Sequence, residues 1–331
     1  MEALLVEEIP SGDQWQYEPK WDGFRCLAFR DGDHVELQSK SGQPLARYFP
    51  EVVENVRELS PKQFVLDGEI VIPVGKQLSF DDLLQRIHPA ESRVKKLAAE
   101  YPALLVVFDL LVDEKGESLI GEPLSKRRER LEAFAGEYFE KGSGIRLSPA
   151  AKGLTAAERW LRSAGGTLDG VVAKRRDFGY RTGDRTGMQK IKLLRTADCV
   201  VGGFRYGSKT KLVGSLLLGL YDDDKLDHIG FCSSIKASDR PALTKKLEAL
   251  IQPPGFTGRA PGGPSRWSTE RTGEWEPLKP DLVVEVQYDH FTQGRFRHGT
   301  KLLRWRPDKL PRQCTMDQVE KRARGFPLEL L

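Results

Sequence analysis

Apolar and polar residues follow two different periods in the first two thirds of the chain. Short stretches that alternate, or that are continuously apolar, predict β-strands, whereas stretches with a period near 3.6 predict helices. The predicted strands are residues 25–30, 34–39, 64–73, 103–111 and 170–173. The predicted helices are residues 79–87, 125–138 and 155–163, the last of which begins with the capping-box spacing Thr155-x-x-Glu158. Strands interleaved with helices indicate a mixed domain.

After residue 195 short strands dominate the pattern. They are predicted at residues 198–206, 216–221, 226–231 and 282–288, with one helix at residues 240–250 and a Pro- and Gly-rich loop at residues 253–264. This combination favours a small antiparallel barrel such as an OB-fold, although a β-sandwich would give a similar pattern. A chain of 331 residues is long enough for two domains, and we place them at residues 1–195 and 196–331.

Composition narrows the class of protein. Hydrophobic residues make up 39% of the chain and charged residues 30%, which is too apolar for a disordered chain. The four cysteines lie far apart without a CxxC pair, which argues against a zinc site and a disulfide framework. The first residues lack the pattern of a signal peptide, and the apolar run at residues 103–108 is too short to span a bilayer. We therefore expect a soluble, cytoplasmic protein with no membrane partner.

The net charge of +4 is unevenly distributed along the chain. Residues 1–195 contain 30 basic and 31 acidic side chains, whereas residues 196–331 contain 22 and 17. Residues 295–312 contain seven Lys or Arg side chains and one acid, interleaved with Phe296 and Trp305. Such a stretch favours binding to a nucleic-acid backbone, although a solvated basic strand would have the same composition.

The strongest local signal is the segment Glu18-Pro19-Lys20-Trp21-Asp22-Gly23. A lysine between two acids, next to a glycine and a strand, is typical of a nucleophilic lysine, whose amine must be neutral to attack. An ordinary turn that enters a hairpin would also accept Lys, Asp and Gly. The neighbouring signals therefore decide the interpretation of Lys20.

Further charged residues lie in or beside the predicted buried strands. Glu69 lies within an apolar run, where a carboxylate is costly unless it is paired or binds something, although an edge strand would expose it. Asp169 precedes the strand at residues 170–173, and Phe108 ends another apolar run, where core packing is the alternative. Lys190 and Lys192 alternate on one face of a predicted strand, as lysines of exposed edge strands also do.

In this order and spacing, the segments resemble the motif series of the covalent nucleotidyltransferases, namely DNA ligases, RNA ligases and mRNA capping enzymes. They are most similar to the compact bacterial ATP-dependent DNA ligases of non-homologous end joining, the LigC and LigD ligase-domain group. The resemblance covers nearly the whole chain and includes residues 44–52, 195–203, 296–300 and 306–309. It implies an α+β nucleotidyltransferase (ATP-grasp-like ligase) core followed by an OB-fold domain.

The resemblance also implies a role for each matching residue. Lys20 would take AMP as a phosphoramidate, and Glu18 would read the adenine amino group. Arg25 and Glu69 would contact the ribose, Phe108 would stack on the base, and Lys190 and Lys192 would bind the transferred phosphate. Asp169, with Glu69 as an alternative or additional ligand, would hold Mg²⁺ or Mn²⁺. Lys40 would face the 5′-phosphate of the broken strand, Arg47 would contact DNA beside it, and Arg306 and Lys309 would orient the leaving pyrophosphate.

Three positions depart from the family pattern. Asp169 stands where the family usually has Glu, and Lys40 stands where Arg is common, which gives up bidentate phosphate geometry. Met188 and Gln189 stand where an aromatic residue often begins the motif that contains Lys190.

The resemblance therefore implies a DNA ligase, expected to be a monomer, that uses ATP to seal nicked or broken double-stranded DNA in repair, with a Ku-type end-binding protein as an implied partner. An mRNA capping guanylyltransferase, which would use GTP, and an RNA ligase remain alternatives within the same superfamily. A DNA-binding homologue without catalytic activity is a further alternative, against which the intact Lys20, Glu69, Lys190 and Lys192 argue.

Overall fold

A computed structural model describes residues 1–75, 77–163, 168–262 and 274–320. The chain folds as two units that divide between Leu193 and Leu194. Within the described residues, no helix combines the length and the apolarity that crossing a membrane requires.

The first unit contains two main sheets and five helices among its described residues. Its strands are β1 (Leu4–Leu5), β2 (Trp15–Trp21), β3 (Phe24–Asp31), β4 (His34–Ser39), β5 (Gln63–Val71), β6 (Pro73–Val74), β7 (Gln77–Leu78), β8 (Leu104–Val112), β9 (Ile145–Leu147), β10 (Leu168–Arg175) and β11 (Met188–Ile191). Its helices are α1 (Pro50–Glu58), α2 (Phe80–Gln85), α3 (Glu91–Glu100), α4 (Leu124–Tyr138) and α5 (Leu154–Ser163). The strand orders are β1-β11-β10-β2 and β4-β3-β5-β8-β9, and β6 pairs with β7.

Three hydrophobic clusters organise this unit. The largest lies between the five-stranded sheet and helices α1 and α4, and a second joins α5 to β2 and β10. A third contains Trp21 of β2, Val71 of β5, Val106 of β8 and Leu168 of β10, and so joins the two sheets. This cluster fixes the end of β2, which carries Lys20, against the strand that carries Glu69.

The predicted strand at residues 64–73 is found as β5, which ends at Val71 and forms the centre of the five-stranded sheet, whereas Pro73 belongs to β6. β5 lies between β3 and β8, and its Asp67 is completely buried. The alternative of an edge strand with exposed carboxylates is therefore wrong. Burial of Asp67 is possible because a cation pairs with it.

Two features of the helices differ from the sequence prediction. Helix α5 begins at Leu154, so Thr155 lies inside the first turn and is not the N-cap, because the amide of Ala156 already bonds to the carbonyl of Gly153. Helix α3 was not predicted. It buries only Val94 and Ala98, and six of its ten residues are polar, so its apolar stripe is too narrow to stand out.

The second unit contains β12 (Arg195–Tyr206), β13 (Val213–Asp222), β14 (Lys225–Cys232), α6 (Arg240–Glu248), β15 (Glu276–Pro277), β16 (Val283–Tyr288), β17 (Phe291–Thr292), β18 (Arg295–Phe296), β19 (Lys301–Trp305) and α7 (Asp317–Glu320). Its main sheet is antiparallel, in the order β14-β13-β12-β16-β19, with β15 paired to β12. The four predicted strands and the predicted helix are confirmed. The predicted loop at residues 253–264 is confirmed up to residue 262, and Gly263 and Pro264 lie outside the described residues.

Candidate active site

The position of Lys20 is set by a tight junction between β2 and β3. Gly23, which follows β2, lies so close to β5 that a Cβ atom there would be 2.2 Å from the carbonyl oxygen of Ile70 and 2.8 Å from Cγ of Glu69. A side chain at this position would push the two strands apart. The glycine of the Lys-x-Asp-Gly segment therefore allows Lys20 and Glu69 to approach the same space.

A β-bulge directs an acid towards Lys20. The register between β10 and β2 shifts between Leu168 and Gly170, so that Gly170 pairs with Lys20. Gly170 has φ +140°, and a Cβ atom there would lie 1.9 Å from the carbonyl oxygen of Ile191. Only glycine fits this backbone. The bulge places the carboxylate of Asp169 2.5 Å from Nζ of Lys20 and 3.1 Å from Nζ of Lys192.

A cavity of about 480 Å³ opens beside Lys20 in the first unit. It brings together seven of the residues that the sequence singled out. They are Glu18, Lys20, Arg25, Lys40, Glu69, Phe108 and Lys190. Asp169 joins this group through its ion pair with Lys20, and Lys192 joins it through its ion pair with Asp169.

One wall of the cavity contains a buried ion pair that sequence reasoning missed. Nζ of Lys174 lies 2.6 Å from Oε2 of Glu18 and 4.3 Å from the centre of the Phe108 ring. The side chain of Gln16 donates to the other oxygen of Glu18 at 2.9 Å. The sequence did offer a signal, because Lys174 directly follows a strand that was expected to be buried. Lys174 lies two residues after Val172, so both side chains point to the same face of the strand, and Val172 pairs with Glu18.

A second buried network holds Arg25. Its guanidinium makes a bidentate contact with Asp67, at 3.0 and 2.6 Å, and the hydroxyl of Tyr180 donates to the same carboxylate at 2.9 Å. Burial raises the pKa of Tyr180, which keeps this hydroxyl protonated as a donor. Behind the network, Arg127 makes a second bidentate pair with Asp109, at 2.8 and 2.9 Å. Sequence reasoning assigned no role to Asp67, Tyr180 or Asp109.

The electrostatics of the cavity favour the uncharged forms of two groups. Burial raises the pKa of Glu69 to about 7, against the opposing effect of the Lys20 and Arg25 charges. Burial also lowers the pKa of Lys190, and the ammonium groups of Lys20 and Lys192 add to that effect. The repulsion among Lys20, Lys190 and Lys192 shows that three amines lie close together, and an anionic ligand among them would relieve that repulsion.

Lys40 and Arg47 line a shallow groove that adjoins the cavity residues Arg25 and Glu69. Lys40 is exposed and lies 2.9 Å from the carboxylate of Glu2, whereas Arg47 donates to the carbonyl of Pro89 at 3.0 Å. Both side chains are accessible to a large anionic ligand.

The two remaining predicted residues lie in the second unit. Arg306 and Lys309 both bind the carboxylate of Asp198, at 2.9 and 2.7 Å. Most of the basic side chains at residues 295–312 are exposed. The two interleaved aromatic residues are not, because Phe296 is buried against Tyr288 and Trp305 packs against the hydrophobic core.

Comparisons with known proteins assign the family. A family model described as "ATP dependent DNA ligase domain" matches residues 5–192, and one described as "ATP dependent DNA ligase C terminal region" matches residues 209–309. The chain is 42% identical over 337 residues to DNA ligase C2 of Mycolicibacterium smegmatis and also to DNA ligase C of Mycobacterium tuberculosis, in each case across 97% of this chain and 93% of the relative. A solved structure from a structure–function analysis of Lig E DNA ligases has a TM-score of 0.57 at 16% identity, over 92% of this chain and all of that one, which shows a shared fold. The chain belongs to the family of ATP-dependent DNA ligases.

Proposed function

We propose that this protein seals breaks in double-stranded DNA with ATP, and that Lys20 is the nucleophile. The observation that carries this proposal is the ion pair between Lys20 and Asp169 beside a cavity with two further lysines, Lys190 and Lys192, around it. Phosphoryl transfer depends on positioning and on charge neutralisation more than on acid–base chemistry. Several cations around one amine nucleophile would position the triphosphate and neutralise its charge.

In the first step, the neutral amine of Lys20 attacks the α-phosphorus of ATP. A P–N bond forms, the bond between the α-phosphorus and the bridging oxygen breaks, and pyrophosphate leaves with the electron pair, while the attacking nitrogen gives up one proton to solvent. The Lys20 amine pairs with the carboxylate of Asp169 in the structure, so this ion pair must separate before the attack. Lys190 and Lys192 would neutralise the charge that develops on the transferred phosphate.

The nucleoside part of ATP would bind at the other end of the cavity. We assign the adenine ring to the face of Phe108 and its amino group to Glu18. Because Lys174 already contacts both of those side chains, it becomes part of the base site. Arg25, held in place by Asp67, would contact the ribose.

The donor set fits a divalent cation. Asp169 and Glu69 offer carboxylate oxygens, the ligands that Mg²⁺ and Mn²⁺ accept, and Asp169 is nearly buried with two lysines as its present counter-charges. Such an ion would supply charge neutralisation at the α-phosphate.

In the second step, an oxygen of the 5′-phosphate of DNA attacks the AMP phosphorus, the P–N bond breaks, and Lys20 regains its proton. In the third step, the 3′-hydroxyl attacks the activated 5′-phosphate and AMP leaves. Lys40 and Arg47 are placed in this proposal on the DNA phosphates, because both are exposed beside the cavity.

We assign residues 1–195 to an adenylation domain and residues 196–331 to an OB-fold domain. The antiparallel sheet of the second unit supports this assignment. A β-bridge between Cys232 of β14 and Thr300, just before β19, supports it as well, because it connects the two edges of the sheet as closure into a barrel requires. Its exposed basic side chains would bind the DNA backbone without reading sequence, as suits an enzyme that joins any ends. A role in end joining with a Ku-type partner, a monomeric state and a cytoplasmic location remain predictions.

The test is intact-mass spectrometry of the purified protein with ATP and, separately, with GTP. We expect covalent addition of one AMP with ATP, and adduct formation with GTP alone would favour a guanylyltransferase. Lys20→Ala should lose the adduct and still seal a nick whose 5′ end is already adenylated. Lys126→Ala, a change of an exposed lysine, is the matched control. An adduct that survives in Lys20→Ala would refute the assignment.

A further inference from the structure

A second cleft, of about 360 Å³, lies in the first unit and shares no lining residue with the cavity beside Lys20. Its volume is that of a small-molecule binding site. Gln16 of β2 lies between the two, because its side chain lines the cleft and donates at 2.9 Å to Glu18, which lines the cavity. The reaction described above gives the cleft no role.

Three segments meet around the cleft, and backbone hydrogen bonds hold them together. The amide of Ser125, in the first turn of α4, donates to the carbonyl of Arg176 at 2.9 Å. Tyr17 of β2 and Ala151 exchange two hydrogen bonds, at 2.8 and 2.9 Å, which fix the segment that carries Lys152. The fold therefore sets the walls of the cleft.

Cations outnumber acids along these walls. Two carboxylates line the cleft, those of Glu129 and Glu132, and their side chains are 76% and 56% exposed. Water screens the ion pairs of such exposed acids, so an anionic ligand can compete with them. The four basic residues that line the cleft are Lys126, Arg128, Lys152 and Arg176.

Arg128 provides the observation that points to a ligand. Its side chain is 8% exposed, and its Nε donates to Glu132 at 2.7 Å. Its Nη1 is buried and has no hydrogen-bond partner among the described residues. Leaving a buried donor unsatisfied is costly, so an oxyanion that enters the cleft and accepts from Nη1 would remove this cost.

We propose that the cleft is a binding site for a small phosphorylated molecule, with Arg128 as its central donor and Lys152 and Arg176 as its more exposed cations. A phosphate monoester carries a charge of about −1.5 to −2 at pH 7 and has three acceptor oxygens, so it can meet the excess of cations and the unpartnered Nη1 together. Nε2 of Gln16 has a second hydrogen besides the one that it gives to Glu18, and this hydrogen can serve the same ligand. The backbone of a DNA duplex fits less well, because it would have to reach a guanidinium that lies below the surface.

The test is calorimetric titration of pyrophosphate into the protein without a divalent cation. Because the cavity beside Lys20 should also bind this probe, we expect two binding events. Lys152→Gln/Arg176→Gln should raise the Kd of one event by about tenfold or more, because two charge-assisted contacts are lost. Lys190→Gln should weaken the other event.

Two further variants make the test specific. Arg128→Lys keeps the positive charge and removes the unpartnered Nη1, so it should weaken the same event as Lys152→Gln/Arg176→Gln, with circular dichroism as the check on folding. If Arg128→Lys does not fold, the double variant of exposed residues decides alone. The matched control is Arg57→Gln/Lys62→Gln, which removes one arginine and one lysine from exposed positions outside the cleft.

A single binding event that Lys190→Gln weakens and the cleft variants leave unchanged would overturn the proposal. A Kd for nicked DNA that rises tenfold in Lys152→Gln/Arg176→Gln and not in the control would also overturn it, because these cations would then belong to the DNA backbone. Adduct formation from ATP should be unchanged in the cleft variants, and slower adduct formation would place the cleft in the reaction site and contradict a separate ligand. Absence of the adduct in the wild type would refute the ligase function alone, since pyrophosphate binding is measured without the reaction.

Discussion

Lys174 and Glu18 form a buried ion pair, with Nζ of Lys174 2.6 Å from Oε2 of Glu18 and both side chains less than one tenth exposed. The pair lies across the ladder between β10 and β2 and contacts the Phe108 ring. It thereby links the strand that carries Lys20 to the strand that carries Asp169. Removing a single partner would leave a charge without compensation in a region that water hardly reaches.

We predict that Lys174→Met lowers the free energy of unfolding by about 3–5 kcal/mol, because the carboxylate of Glu18 would keep only Gln16 as a partner. The double variant Glu18→Gln/Lys174→Met should recover most of that loss, since neither buried charge remains. Denaturant unfolding of the two single variants and the double variant measures the coupling.

The nucleotide site provides the matching functional readout. Both Lys174→Met and the double variant should bind ATP more weakly, because Glu18 and Phe108 belong to the proposed base site. Lys152→Ala, a change of an exposed lysine in the same unit, is the control. A double variant that is stable and binds ATP normally would show that the pair is structural alone.

Asp169 should be dispensable for folding and required for adenylation. Asp169→Asn preserves the shape of the side chain at the bulge, and its two lysine partners are exposed enough for water to solvate them. We expect circular dichroism and thermal melting close to the wild type, with adduct formation slower by at least about a hundredfold. Asp177→Asn, at an exposed acid paired with Arg175, is the control. An unfolded Asp169→Asn protein would mean that this carboxylate serves the fold.

The sequence predicted β3, β5, β8 and β10 because each carries a clear apolar pattern, but it missed β2, whose polar residues Gln16, Glu18 and Lys20 interrupt the pattern. The interruption itself was informative at Glu69 and Asp169, where a carboxylate lies in or beside a buried strand. The partners of those charges could not be predicted in the same way. Asp67 and Tyr180 lie 113 residues apart, and their hydrogen bond depends on how a loop folds back over the sheet.

Very short strands were also beyond prediction. β17 and β18 contain two residues each and pair only with each other, so their period of two never repeats. β19 was obscured for a different reason, because three of its five residues are exposed and two of those are basic. A pattern that alternates weakly and lies in a charged stretch is equally typical of a loop.

Glu69 should make stability depend on pH in the direction opposite to most acids. Its folded-state pKa is near 7, above the ordinary value of 4.5, so the folded protein holds this proton more tightly than the unfolded chain does. The stabilisation that comes from protonated Glu69 is fully present below pH 4.5 and is lost as the pH rises to about 7. We expect the free energy of unfolding of the wild type to fall relative to Glu69→Gln by on the order of 1–2 kcal/mol between pH 5 and pH 8, allowing for partial exposure of the side chain.

Denaturant unfolding of both proteins across this pH range measures the difference. Glu36→Gln, at an acid in strand β4 of the same sheet, provides a control for a general effect of removing a carboxylate. A difference between wild type and Glu69→Gln that stays constant with pH would show that Glu69 ionises normally in the folded protein.

Arg306 and Lys309 should act in the first step of the reaction and not in the last. Both side chains form ion pairs with the carboxylate of Asp198, at 2.9 Å from Nη1 of Arg306 and 2.7 Å from Nζ of Lys309. Asp198 therefore holds the two cations close together in the second unit. The family resemblance assigns them to the leaving pyrophosphate, which is released when Lys20 is adenylated and at no later stage. We therefore predict that Arg306→Ala/Lys309→Ala slows adduct formation from ATP by at least about a hundredfold.

The same double variant should still join a nick whose 5′ end is already adenylated, because AMP and not pyrophosphate leaves in that step. Arg312→Ala/Lys279→Ala is the matched control, since it also removes one arginine and one lysine of the second unit that are each paired with a carboxylate. Single-turnover assays of adduct formation and of sealing a pre-adenylated nick separate the two steps. A double variant that forms the adduct at the control rate and fails to seal would place both cations on DNA, and the division of labour between the two steps would have to be reversed.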